Sequence, residues 1–270
     1  MSAPASMARA GLARLAPPTM VDQTELARPT VVVAPHPDDE TLGCGGTIAR
    51  LSGVGIAVGI VFATDGAAAH RNRIDAEVLA AWREDEAVAA AAALGVERGA
   101  LRFCRVADGT LRADDASVGS ALIDLVGAID ATRLLLPSPL EPPSDHVNAG
   151  RSARDGLATT SLGPTGEGWE YGVWAWDHWP WVEGSGRSFW VQSVRARAGL
   201  TAARTFSIGV DVSAHLDAKR SALACHRTQM GTHPEATDWP TLGGVRGGSW
   251  LDALMGPVER FHRADPAPTG

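Results

Sequence analysis

Apolar runs that stop abruptly at polar clusters recur along this chain. Thr30 to Ala34 is a run of β-branched and small apolar residues ending in Pro35-His36-Pro37-Asp38-Asp39-Glu40. An uninterrupted apolar run of this length reads as a strand buried on both faces, as in parallel sheets. Residues 56–63 repeat the pattern and end in Thr64-Asp65-Gly66. Residues 101–104 and 134–137 are shorter strands, followed by the turn Asp108-Gly109 and by a proline-rich loop over 137–145. Between the strands, helical spacing predicts helices over 41–52, 76–94, 117–130 and 146–159. In the second of these Val78, Leu79, Trp82, Val88 and Leu94 are the candidate inward residues, with Gly95 as the stop. In the third they are Leu122, Ile123, Val126 and Ile129.

After a Gly/Pro break at 163–168, residues 169–176 alternate like a strand and 205–212 form another. Residues 213–227 read as a helix with Ser213 as N-cap. The tail from 230 to 270 is loop-rich, with one weak helix over 250–262. Strands alternating with helices predict one α/β domain with a mainly parallel sheet flanked by helices, and a strand- and loop-rich C-terminal part. The first two strands and their helix would form a right-handed βαβ unit. Gly43, Gly45 and Gly46 fall in the first half of that helix, at a cost of about 1 kcal/mol each against Ala. They let the helix start lie close to a strand or a ligand.

Composition narrows the partners. The chain has 270 residues, 45% of them hydrophobic, and a net charge of −7. No long basic run suggests a nucleic-acid footprint, and the charge argues against an anionic membrane surface. No stretch approaches the ~18 apolar residues of a membrane span. Cys44, Cys104 and Cys225 form no Cys-x-x-Cys pair, so neither a disulfide framework nor a Cys-rich zinc site is expected. Buried reduced thiols and a cytoplasmic location fit. The N-terminus lacks a continuous apolar segment of the secretory kind. Residues 1–25 read as a flexible extension and 26–270 as a single domain.

The chemistry gathers at the first strand's end. Open α/β sheets bind ligands at the carboxyl ends of their strands. His36 and Asp39, three apart on a tight turn, can converge on one metal ion, with Asp38 beside them as a possible base. Alone, a His-x-x-Asp pair is a weak signal. Three successive acids after a buried strand are harder to accommodate, because desolvated like charges resist ionisation unless a cation is near. Catalytic zinc takes three protein ligands and a water. His146, also beyond a strand's carboxyl end, is the best candidate for the third ligand, and Asp145 can orient a ligand from behind. Water on such a metal becomes a nucleophile near neutral pH, and Asp38 can take its proton.

Pro35-His36-Pro37-Asp38-Asp39-Glu40 resembles the signature of the PIG-L/LmbE-like family of zinc-dependent N-acetylglucosamine deacetylases. Further motifs follow in order. Thr64-Asp65-Gly66 is similar to the family's Thr-x-Gly strand end. Arg83-Glu84-Asp85-Glu86 with Leu94-Gly95 is similar to its Arg-x-x-Glu helix. Asp108-Gly109-Thr110-Leu111, Asp145-His146 with Gly150-Arg151, and Lys219 with His226 and Gln229 complete the set. The resemblance spans roughly residues 30 to 230. It implies a Rossmann-like α/β fold and removal of an N-acetyl group from an amino sugar on a small-molecule conjugate. It further implies Zn2+, or another divalent metal, on His36, Asp39 and His146, a metal-held water as nucleophile, and Asp38 as base.

One departure stands out. The family often carries a histidine three residues before its last ligand, and here that position is Pro143. His226 and His178 are the candidates to replace it as acid, and His226 is the first choice. Arg83, Asp108 and Asp65 are the candidate substrate-binding residues. Their alternatives are an ion pair of Arg83 with Glu86 or Asp85, and plain turn roles for the two aspartates. Trp169, Trp174, Trp176, Trp179, Trp181 and Trp190 form a cluster suited either to packing or to sugar rings. Trp179 and Trp181 are its candidate ligand contacts. Two other functions stay open: an amidase acting on another acyl group or a specialised-metabolite amine, and a non-catalytic sugar-binding α/β module. A nucleotide role is disfavoured, because no Gly-x-Gly-x-x-Gly follows the first strand.

Overall fold

The computed structural model describes residues 15–70, 73–159, 166–178, 182 and 189–264. Its strands are β1 (Thr19–Met20), β2 (Thr30–Ala34), β3 (Val58–Thr64), β4 (Leu101–Val106), β5 (Arg133–Pro137), β6 (Glu167–Tyr171), β7 (Ile208–Asp211) and β8 (Val258–Arg263). They form one sheet in the order β1-β7-β8-β6-β5-β2-β3-β4. Every neighbouring pair is parallel except those of β8, which runs antiparallel to β6 and β7. The longer helices are α1 (Asp39–Ser52), α2 (Ala76–Ala93), α3 (Ala116–Ala128), α4 (Ser144–Thr159), α5 (Phe189–Thr205) and α6 (Leu216–Cys225), followed by the short α7 (Arg227–Met230) and α8 (Ser249–Leu254).

The apolar runs behave as their composition requires. All residues of β2, β3 and β5 are buried, because helices cover both faces of the sheet. Val32, Ala34, Ile60 and Phe62 join one core with α1, α2 and α6, whereas Val31, Val33, Val61 and Ala63 join a second core with α3 and α4. The expected α/β architecture is therefore present. No helix among the described residues is long and apolar enough to cross a membrane.

Several elements differ from the sequence expectation, each for a local reason. Within the stretch read as a flexible extension, Thr19–Met20 pair with β7, and Val21 is buried. A two-residue strand carries no periodicity to read. The helix expected over 250–262 is α8 followed by β8, whose inward residues are Glu259 and Phe261. A buried glutamate disguises the strand's alternation. The helix α5 was not anticipated. The helix expected over 213–227 is a 3-10 turn, α6 and α7, broken at His226. Ser213 caps nothing there; its own N–H is accepted by Asp211 at 2.9 Å. The strand expected over 169–176 stops at Tyr171 and gives way to a 3-10 turn at Trp174–Trp176. On α2 the inward face holds Leu79, Arg83, Glu86 and small alanines, while Val78 is exposed and Trp82 and Val88 are half-buried. On α3 Ile123 is exposed.

Candidate metal centre

The loops leaving β2, β3, β4 and β5 meet at the carboxyl ends of those strands, and each brings polar groups. His36 follows β2, and Asp39 opens α1, so the chain reverses within three residues. His36 Nδ1 lies 3.2 Å from Asp39 Oδ2, and the His36 N–H donates to the same oxygen at 3.0 Å. His146, in the first turn of α4, places Nε2 3.3 Å from Asp39 Oδ2. One donor atom from each of His36, Asp39 and His146 lies within 4.8 Å of the other two. His146 Nε2 is buried without a hydrogen bond. Two imidazoles and a carboxylate, converging at this distance around a buried imidazole nitrogen that makes no hydrogen bond, fit a divalent cation of the zinc type.

Both histidines are oriented from behind by carboxylates. His36 Nε2 lies 3.2 Å from Asp108 Oδ1 and 3.4 Å from Asp145 Oδ2. His146 Nδ1 lies 3.0 Å from Glu141 Oε2. Carboxylates in these positions fix ring orientation and raise ligand basicity. Burial opposes charge on His36, but Asp108, Asp145 and Asp39 outweigh it and lift its pKa well above the usual value. Burial likewise opposes charge on His146, and Asp39 and Glu141 prevail, raising its pKa. Asp39 moves down, because the two histidines outweigh its own desolvation.

Asp38 is built differently. It is the N-cap of α1, yet its side chain makes no capping bond; it lines the cavity over the metal centre instead. Its backbone sits at φ 142°, in a region that side chains avoid. Glu40 holds that conformation by accepting the Asp38 N–H at 3.0 Å. Strain held this firmly is the kind found at functional sites. Burial, followed by the charge of Asp39, pushes the Asp38 carboxyl up to about 7. Gln229 Nε2 donates to its Oδ2.

The cavity measures about 540 Å3. Arg83, from the inward face of α2, lines it and donates to the Gly66 carbonyl, while its Nε and the Gln229 Oε1 are buried without hydrogen bonds. The surface ion pair considered for Arg83 is absent, since the side chain is buried and Glu86 is taken by Thr228. Asp108 also lines the cavity, and its Oδ2 accepts from the Ala68 N–H at 2.8 Å.

Two expectations fail on geometry. His226 is fully buried and absent from the cavity wall; its Nε2 faces Glu40 Oε1 at 3.0 Å, so it braces Glu40 and is not placed to reach a ligand. His178 lines a different pocket. Asp65 is not on the wall either; it accepts the N–H groups of Ala67 and Asp108 at 2.9 and 3.0 Å and so shapes the turn that presents Asp108. Trp179 and Trp181 lie outside the described residues. Of the other cluster members, Trp169 and Trp176 are core residues, and Trp174 lines the cavity.

Sequence reasoning missed Glu141. Its carboxylate accepts the backbone N–H groups of Val173, Trp174 and Ala175, each at 2.9 Å, in addition to facing His146. A lone glutamate in a proline-rich loop gives no signal of this.

Residues 31–156, which include His36, Asp38, Asp39 and His146, match the PIG-L family described as GlcNAc-PI de-N-acetylase. No curated protein sequence matches the chain. Among solved structures it is similar to N,N'-diacetylchitobiose deacetylase from Pyrococcus horikoshii, with 18% identity, a TM-score of 0.64, and coverage of 98% of this chain and 94% of that one. It is also similar to 4-carboxy-2-hydroxymuconate hydratase from Pseudomonas putida KT2440, with 18% identity, a TM-score of 0.59, and coverage of 89% and 98%. A third is the zinc-inhibited form of a teicoplanin deacetylase, with 16% identity, a TM-score of 0.56, and coverage of 88% and 99%. At these identities the likeness establishes the fold. The same fold carries hydrolases and a hydratase, so the PIG-L match and the site chemistry must decide between functions.

Proposed function

We propose that this chain is a metal-dependent hydrolase that removes the N-acetyl group from an N-acetylglucosamine-type amino sugar carried on a small molecule. The observation that carries the reading is Asp38. It is a buried, strained carboxylate beside His36, Asp39 and His146, and it faces the same cavity. A module that only bound sugar would have no use for that strain. The match to a de-N-acetylase family and the names of two of the three structural relatives point the same way.

His36, Asp39 and His146 would hold Zn2+ or another divalent cation. When bound, the cation supplies Lewis-acid polarisation of the amide carbonyl and lowers the pKa of water. Asp38 takes the proton from the attacking water. Asp38, protonated in that step, can then return the proton to the departing amine nitrogen, so one residue serves as base and acid in turn. This accommodates Pro143 without a replacement histidine. Gln229 fixes the Asp38 carboxylate through its amide N–H. Arg83 and Asp108 are positioned for sugar hydroxyls, and Trp179 and Trp181 remain candidate ring contacts. The three free cysteines are compatible with a cytoplasmic location.

Acetate release tests the reading. Metal-loaded protein is offered N-acetylglucosaminides together with longer N-acyl analogues. Acetate release that is lost on chelation and restored by zinc supports it. Release of longer acyl groups in preference to acetate would make the chain a broader amidase. Absence of any amide cleavage by loaded protein across the panel would remove the hydrolase reading.

A further inference from the structure

The cavity wall divides by chemistry. Its polar groups cluster with the metal centre, and the rest of the described wall is Leu42, Ala68, Pro143, Trp174, Pro240, Leu242 and Val245, relieved only by Thr241. Among the described residues, three aspartates and a single arginine, Arg83, line it. Arg83 is already engaged by the Gly66 carbonyl and is flanked by the charges of Asp38 and Asp108. The cavity, at about 540 Å3, has more room than one sugar ring fills.

We propose that the group attached to the amino sugar is apolar: the substrate is an N-acetylglucosaminide of an aromatic or alkyl aglycone, seated against Trp174, Leu242 and Val245. This rests on the deacetylase reading of the same site. A phosphate-bearing aglycone brings negative charge to a wall whose described residues set three aspartates against one arginine. A second sugar brings hydroxyls that, once desolvated, must find partners, and an unpartnered buried hydroxyl costs about 1–3 kcal/mol. Thr241 offers the one side-chain hydroxyl among the described residues of the apolar wall. An aryl or alkyl group needs no partner and gains by leaving water.

The wall is built, not incidental. Trp174 is stacked on Trp250, with ring centroids 4.6 Å apart and planes at 20°. Its backbone N–H is held by Glu141 at 2.9 Å. Leu242 and Val245 belong to the turn Leu242–Gly248, and Arg246 of that turn bonds both oxygens of Asp177 at 2.7 and 2.6 Å. That pair ties the turn to the segment bearing Trp174. Arg246, Gly247 and Gly248 all have positive φ, a sharp local reversal at the end of that turn.

The test is binding to zinc-loaded full-length protein carrying Asp38→Asn, which suppresses turnover. The probes are methyl, phenyl and octyl N-acetyl-β-glucosaminides, N,N'-diacetylchitobiose and an N-acetylglucosaminyl inositol phosphate, measured by calorimetry. Phenyl and octyl glycosides should bind about tenfold tighter than the methyl glycoside, the effect of removing roughly 60 Å2 of apolar surface from water. Chitobiose and the inositol phosphate should show no such gain. Leu242→Asp should bring the phenyl-to-methyl ratio toward one, and Val245→Ser, a milder change, should lower it. Equal affinities across the series, or tightest binding of chitobiose or the inositol phosphate, would overturn the proposal. Wild-type protein given the same compounds separates the two readings. The apolar preference without acetate release would sink the deacetylase reading alone, and acetate release without that preference would sink this inference alone.

Discussion

Glu141 Oε2 lies 3.0 Å from His146 Nδ1, and the same carboxylate gathers the backbone N–H groups of Val173, Trp174 and Ala175. One side chain therefore orients a metal-ligand candidate and anchors the turn that carries a cavity wall. Glu141→Gln keeps the size but removes the charge and one acceptor. Metal affinity should weaken about 10–100-fold, as for other partners that orient a ligand histidine. Competition against a chromophoric chelator measures it. Unchanged affinity would mean that Glu141 serves only the turn.

Asp38→Asn should lower the rate of amide cleavage by about 10²–10⁴, the range for loss of a positioned proton carrier. Zinc content should stay the same, because Asp38 is not among the three converging donors. Elemental analysis and steady-state kinetics on the same preparation check both parts. Retained activity would end the assignment of Asp38 as base.

What was legible in the sequence was local. The run from Thr30 to Glu40 displays a buried strand and the first two donors within eleven residues, and His146 also follows a readable strand. Asp145, which faces His36, was legible beside His146, but the other supports were not, because each depends on a meeting of distant segments. Glu40 meets His226 across 186 positions, and Gln229 meets Asp38 across 191. His226 looked like a chemical residue because histidine so often is one; in the fold it is sealed behind Glu40. The apolar wall at Leu242 and Val245 sits in a segment with no periodicity. The β8 strand was hidden because its buried Glu259 reads as a solvent residue.

Chelation should lower thermal stability as well as activity. A ligand that binds only the folded chain stabilises it by about 2.7 kcal/mol at a hundredfold excess over Kd. The unfolding midpoint should therefore rise with added zinc and fall with chelator, in wild-type and Asp38→Asn proteins alike. In an Asp39→Asn, His146→Gln double variant the zinc response should disappear. A response that survives there would place the ion elsewhere.

The glycines of α1 allow a prediction of sign. On helix propensity alone, Gly43→Ala should stabilise by about 1 kcal/mol. The structure predicts the reverse. A Cβ on Gly43 would meet Tyr171 Cδ2 at 2.3 Å, and Tyr171 is pinned by its hydroxyl donating to the Val33 carbonyl at 2.7 Å. A Cβ on Gly46 would meet Val212 Cβ at 2.5 Å. Each alanine should cost about 1–3 kcal/mol as overpacking in urea denaturation. A Cβ on Gly45 would meet the Lys219 stem at 3.1 Å and Thr41 Cγ2 at 3.6 Å, so Gly45→Ala should be milder. Equal stability for all three would show that α1 can slide on the sheet.

Lys219 is fully buried, and its Nζ donates to the Leu42 and Leu254 carbonyls at 2.9 Å each and to Glu259 Oε1 at 2.6 Å. Glu259 in turn accepts the N–H groups of Gly46 and Thr47 at 2.8 Å each. The pair thus clamps α1, which carries Asp39, to β8. Lys219→Met removes the cation and leaves a buried carboxylate uncompensated, which should cost about 3–5 kcal/mol. Lys219→Met combined with Glu259→Gln removes that stranded charge and should recover part of the loss, because the glutamine can still accept from one of the two N–H groups. Urea denaturation of the three proteins reads the ordering directly. If the double variant is less stable than Lys219→Met alone, the carboxylate contributes more through its helix contacts than it costs as an unpaired charge.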